Sequence, residues 1–177
     1  MSGGKKSIDS LQFSTRKNEL QNINLLVNEF GDSAFRVIGN YYFNTGYEAG
    51  FERLTKLIEN KRFSYEKFKK DPVKGISDFL HGYFKDRGGN LPKVWSEDNT
   101  VFLMTEIGVT CITIEAEKEV SVPHRDICNI YCRAFVKGMV NIFEDFYPGI
   151  TINFYNAGSR RDKVKKDCIE AFQVIIA

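Results

Sequence analysis

The chain lacks any run of about 18 apolar residues, the length a membrane-spanning helix requires, so no membrane span is expected. It lacks an excess of charge: 25 Lys and Arg against 23 Asp and Glu leave +2, which argues against a dedicated nucleic-acid surface. It has only four cysteines, in no tight framework, so a reducing, cytoplasmic compartment is expected rather than a disulfide scaffold. The opening MSGGKKSIDS has no apolar core and does not read as a secretory signal. No Gly-rich phosphate loop follows a strand and no Ser elbow is present. Strands and helices do not alternate as in a doubly wound sheet. No complete catalytic constellation is visible, so the sequence leaves open whether the protein is an enzyme.

Aromatic residues are what the chain has in quantity, with 15 Phe, 8 Tyr and a lone Trp. They read either as an aromatic core or as the lining of a pocket for an apolar or planar ligand. The 177 residues can bury a full core. Residues 1–15 read as a disordered lead, and residues 16–177 as one domain.

Leu20, Ile23, Leu26, Val27 and Phe30 recur at helical spacing, and Gly31 stops that helix. A second, longer helix is expected over about Ser33 to Asn60. Gly39, Gly46 and Gly50 sit inside it, and each costs about 1 kcal/mol relative to Ala. Their retention points to close approach of another backbone or a ligand. The basic stretch 61–70 reads as a solvated connection or a short helix, although Lys61, Arg62, Lys67, Lys69 and Lys70 could bind an anionic partner. Asp71-Pro72 opens a third helix, ended by Gly88-Gly89. Its His81 has no partner nearby in sequence.

From Leu91 the period changes, and Lys93–Trp95, Thr100–Glu106 and Val109–Glu117 read as three strands. Ser121 to Cys168 then carries three of the four cysteines and one of the two histidines. It reads as one helix opened near Pro123 and ended by Pro148-Gly149. An alternating strand, Ile150–Asn156, follows. A charged loop then leads to a last strand, Ile169–Ile176. The order implies an α+β fold: an antiparallel sheet of about four or five strands with helices packed on one face.

Four groups of side chains are candidates for a site. His124, Cys128 and Cys132 share one face at i, i+4, i+8. The outer two stand roughly 12 Å apart, so a single metal ion would need Cys168 or Cys111 as well. The plainer reading of these cysteines is small buried apolar groups. Tyr42, Tyr47, Trp95 and Phe135 could line a pocket between the long helix and the sheet. Arg160 and Arg161 in the loop could grip a carboxylate or phosphate, or simply be solvated. Cys132, activated by His124 or a helix dipole, is the candidate nucleophile.

Cys132 with Gly138 six residues on, the strand after that helix, Cys168 before the last strand, and Gly46 and Gly50 together resemble the 4-vinyl reductase-like domain family. Those domains are relatives of the vesicle-tethering TRAPP subunits. The resemblance implies a mixed α/β fold that dimerises and binds apolar small molecules. In its sensing branch zinc is held by a helix cysteine and a later Glu, Cys and Cys. Cys132 and Cys168 fall at the first and last of these positions. The middle two fall near Tyr155 and Gly158, which supply neither a carboxylate nor a thiolate, so Cys128 or His124 would have to substitute. Phe30-Gly31-Asp32-Ser33-Ala34, Gly46, Gly50, Tyr131-Cys132 and the Pro148–Cys168 segment are also similar to the L-2-amino-thiazoline-4-carboxylate hydrolase family. That resemblance implies hydrolytic opening of a small sulfur-containing ring with Cys132 as the residue to suspect. The helix after Cys132 is longer here than in that family. Three functions follow as expectations: a domain binding or carrying an apolar or aromatic, acid-bearing small molecule; a cysteine hydrolase; or a homodimeric interaction module.

Overall fold

The computed structural model describes residues 10–87, 92–104, 111–120, 127–159 and 167–177. Four helices come first: α1 (Ser10–Phe30), α2 (Asp32–Glu59), α3 (Tyr65–Lys70) and α4 (Pro72–Arg87). Strands β1 (Lys93–Glu97) and β2 (Thr100–Met104) follow. Helices α5 (Ile112–Val120), α6 (Ile127–Ile130) and α7 (Cys132–Phe146) lead to β3 (Ile150–Gly158) and β4 (Ile169–Ile176). Helix α1 reaches back to Ser10, into the stretch expected to be lead. Gly31 separates α1 from α2 at φ +60, a left-handed conformation that Gly adopts without steric cost.

The glycines of α2 explain how the molecule is assembled. A Cβ on Gly46 would collide with the carbonyl of Phe135, and one on Gly50 would sit 2.6 Å from the Met139 carbonyl oxygen. Gly138 of α7 reciprocates against the carbonyl of Phe43. The two helices therefore meet backbone to backbone, which only residues without side chains permit. Gly39 differs, because a Cβ there would lie 3.6 Å from Ile130, an ordinary contact.

The sheet is antiparallel throughout, in the order β1-β2-β4-β3. Alternation along its strands turns Val94, Val101, Leu103, Phe172, Val174, Ile152 and Phe154 to one face, where they join the larger apolar cluster. Ile76, Phe79 and Leu80 of α4 and Met139, Val140 and Phe143 of α7 cover that face. A smaller cluster, built on Leu20, Ile23, Ala34, Ile38, Ala116, Ile127 and Tyr131, joins α1, the first half of α2, α5 and α6. The fold is thus α+β, with a four-stranded antiparallel sheet.

Two expected elements differ. The third strand, Val109–Glu117, is not one: residues from Ile112 form α5, while 109 and 110 lie outside the described residues. The run Ile112-Thr113-Ile114 favours a strand locally. Both edges of β2 are already taken by β1 and β4, however, and Ala116 is buried in the smaller cluster. Lys17 pairs with Glu119 at 2.7 Å, and Lys118 with Glu115 at 2.6 Å, which suits a helix lying along α1. The single helix expected after Pro123 is also broken. At Tyr131 (φ −117, ψ −95) the chain leaves helical geometry between α6 and α7. Tyr131 is nearly buried and its hydroxyl donates to Glu19 at 2.7 Å, so the break turns this ring into the smaller cluster. Among the described residues no helix is long and apolar enough to cross a membrane.

Candidate functional site: a thiol between the helices

Cys132 opens α7, directly after the break at Tyr131. Its surface is exposed, yet burial dominates the acidity of its thiol and pushes it up to about 12. These two facts pull in opposite directions for a convex surface, where a reachable sulfur would also be a hydrated one. They agree for a concave one, where protein surrounds the sulfur but a crevice reaches it. We read the two together as a concave setting and call it the Cys132 crevice.

The walls come from five helices and their approaches. Thr113 of α5 places its hydroxyl 3.9 Å from the Cys132 sulfur. Cys111 and Cys128 are close enough to raise the thiol's acidity constant further, while Arg16 of α1 lowers it. Arg16 lies over the Tyr131 ring, its Cζ 3.9 Å from the ring centre, a cation–π arrangement. It also stands 3.2 Å from Glu19, the acceptor of the Tyr131 hydroxyl. Tyr42 of α2 packs edge-on against Tyr131 with ring centres 4.3 Å apart. Burial first, and then Glu19, raise the Tyr42 phenol to about 12. At neutral pH the crevice therefore presents a neutral Cys132 thiol and a neutral Tyr42 phenol beside the Arg16 guanidinium.

The other candidate aromatics do not converge here. Tyr47 lies five residues beyond Tyr42, a turn of roughly 140° about the helix. It faces α7, where its hydroxyl donates to Asp145 at 2.6 Å and raises the phenol's own pKa. It lines a separate groove of about 170 Å³ with Phe51 and Phe146. Phe135 packs against the larger cluster, and its backbone meets Gly46. Trp95 is opposite Phe102 in the sheet register, stacked on it at 5.1 Å. Because Val94, Val101 and Leu103 take the helix-covered face, Trp95 is turned to the other one. A pocket shared by Tyr42, Tyr47, Trp95 and Phe135 is thus not formed. Sequence alternation placed Trp95 on a strand but could not say which face met the helices.

Cys168 is half-buried just before β4. His124, Arg160 and Arg161 lie outside the described residues. Cys128, on α6, is separated from Cys132 by the break, so the two do not share one continuous helix. Tyr155 is exposed, and a Cβ on Gly158 would press on the Asp167 carbonyl. Among the described residues no group of three or more His, Cys, Asp or Glu is placed to hold a metal ion.

Arg16, Thr113 and Tyr131 were not expected at a site. Arg16 belongs to the stretch next to the supposed lead, and Thr113 to a supposed strand. Their only sequence signal was helical spacing, with Arg16 four residues before Leu20 on α1.

A different polar group sits on the helix-covered face of the sheet. Arg133 donates to Glu170 at 2.9 Å and to Asn129 at 2.7 Å, and Asn156 donates to Glu170 at 3.3 Å. Both members of the ion pair are mostly buried, and burial raises the Glu170 carboxyl against the opposing pull of Arg133. This pair ties the start of α7 to β4.

Compared with family models, with curated proteins and with solved structures, the chain matches none.

Proposed function

We propose that this protein binds or carries a small apolar or aromatic molecule, in the manner of 4-vinyl reductase-like domains, and that the crevice at Cys132 receives it. One observation carries the reading: a thiol that solvent can reach yet cannot hydrate well enough to ionise. Such a surface gains by being covered with apolar atoms, at about 25 cal/mol per Å² removed from water. Arg16, above Tyr131, gives an acid group on the ligand a partner at the rim.

The same observation weighs against the cysteine-hydrolase reading. The thiolate is the nucleophile, and a thiol held near 12 supplies almost none at neutral pH. A dimeric module is the second reading. Val37 and Tyr41 are exposed along the side of α2 that faces away from Gly46 and Gly50. Burying that row against a second copy would join two long helices.

Native mass spectrometry of the protein as isolated tests the first reading, beside the Cys132→Trp variant that fills the crevice. A co-purified small molecule present in the parent and lost from the variant supports it. A parent that carries nothing and takes up no apolar probe such as 2-naphthylmethanol overturns it.

A further inference from the structure

A second cleft, of about 360 Å³, opens between the end of α2, α3 and the flank of α4. That volume is in the range of small-molecule sites. It belongs to the larger apolar cluster, whereas the Cys132 crevice is built on the smaller one. Arg53 in its wall lies eleven residues beyond Tyr42, about 16 Å along the helix.

The wall contributed by α4 is flat because Gly75 and Gly82 stand on it, two turns apart. A Cβ on Gly82 would lie 2.6 Å from an Arg53 guanidinium nitrogen, and one on Gly75 would meet the Phe68 ring at 2.5 Å. Phe63 and Leu57, both half-buried, supply apolar surface beside them. Arg53 is mostly buried, and among the described residues its Nε has no hydrogen-bond partner.

The charges in the cleft do not cancel. Arg53 is satisfied outward by Asp86 at 2.8 Å, and Lys74 by Asp78 at 2.9 Å. Arg62 and Lys67 also line the cleft and are in no ion pair among the described residues. Asp71 offsets one of them, and its carboxylate is engaged by the Lys74 backbone N–H at 2.9 Å. One positive charge is left over a floor of phenyl rings and glycines.

We propose that this cleft is a second binding site, for a small aromatic monocarboxylate. The ring lies against Phe63 and the glycine wall, and the carboxylate meets Arg62 and Lys67. A single surplus charge suits a monoanion better than a polyphosphate. The site stands apart from the Cys132 crevice and does not depend on the reading given for it.

The experiment titrates 2-naphthoate, and separately neutral 2-naphthylmethanol, into the full-length protein while backbone amide NMR shifts are followed. The parent should bind 2-naphthoate with shifts centred on Gly75 and Gly82. The double variant R62Q/K67Q, altered only at exposed side chains, should bind it at least about tenfold more weakly, as expected for lost charge-assisted hydrogen bonds. Its affinity for the alcohol should be unchanged. Cys132→Trp should leave the naphthoate shifts in place. No binding, shifts centred instead on Cys111 and Cys132, or equal affinity in R62Q/K67Q would each overturn the proposal. Failure of the crevice reading shows elsewhere, in the absence of any apolar ligand sensitive to Cys132→Trp.

Discussion

Gly46 and Phe135 touch through their backbones, so α2 and α7 cross with no side chain between them at that point. Everything at the crevice depends on this crossing, since it fixes Tyr42 on one helix beside Cys132 at the start of the other. Gly46→Ala should therefore lower stability by about 3 kcal/mol or more, because backbone cannot yield as a side chain can. Gly39→Ala, whose Cβ would lie in ordinary contact with Ile130, should be neutral or stabilise by up to about 1 kcal/mol through helix propensity. Urea unfolding of both variants measures the difference. Equal effects would mean that the helices are further apart.

Cys132 should resist alkylation. Its thiol is raised from 9.0 to about 12, so iodoacetamide labelling at pH 8 should be far slower than for the urea-unfolded chain. The linkage has a definite sign. A thiol held neutral in the folded protein contributes stability in full below pH 9, and that contribution is lost as the pH rises from 9 towards 12. Labelling followed by mass spectrometry resolves Cys132 from Cys111, Cys128 and Cys168.

Arg133 and Glu170 should respond unequally to mutation. Glu170→Gln leaves a buried guanidinium that cannot discharge, at a cost of about 3 kcal/mol wherever the parent's carboxyl is ionised, and leaves no titrating group at position 170. Arg133→Met leaves a carboxyl that can take up a proton. Burial already raises that carboxyl, and removing Arg133 raises it further. A raised folded pKa favours the protonated form, so the Arg133→Met variant should be most stable below about pH 4.5 and lose stability as pH rises. Denaturation midpoints from pH 4 to 8 distinguish the flat profile from the sloping one.

Much of the frame was legible in residues alone. Gly31 ended a helix, Pro148-Gly149 turned the chain into β3, and the alternation from Ile150 to Phe154 marked a strand. The glycines of the long helix signalled close approach, and the structure shows it at Gly46 and Gly50. What failed were choices made by tertiary partners. Ile112-Thr113-Ile114 has strand propensity, but the neighbouring strand β2 is already paired on both edges and Ala116 is drawn into the smaller cluster. Tyr131 keeps helical spacing in sequence, yet its ring is recruited by Arg16, Glu19 and Tyr42 from distant segments. Trp95 was placed on its strand correctly but in a pocket beside the long helix, on the wrong face, because alternation alone does not name the covered side.

Trp95 offers a check on that assignment. Stacked on Phe102 and bonded through its indole N–H to Glu97 at 3.0 Å, it stands on the face away from the helices. Ligand entering the Cys132 crevice should leave its emission unchanged in wavelength. A clear blue shift on binding would place Trp95 at the ligand.

Native mass spectrometry of the isolated protein and of Cys132→Trp bears most directly on the central claim that a reachable but unhydrated sulfur marks a ligand crevice. The expected result is a small molecule retained by the parent and absent from a variant that folds equally well. A folded Cys132→Trp protein that retains the same molecule at the same occupancy would contradict it.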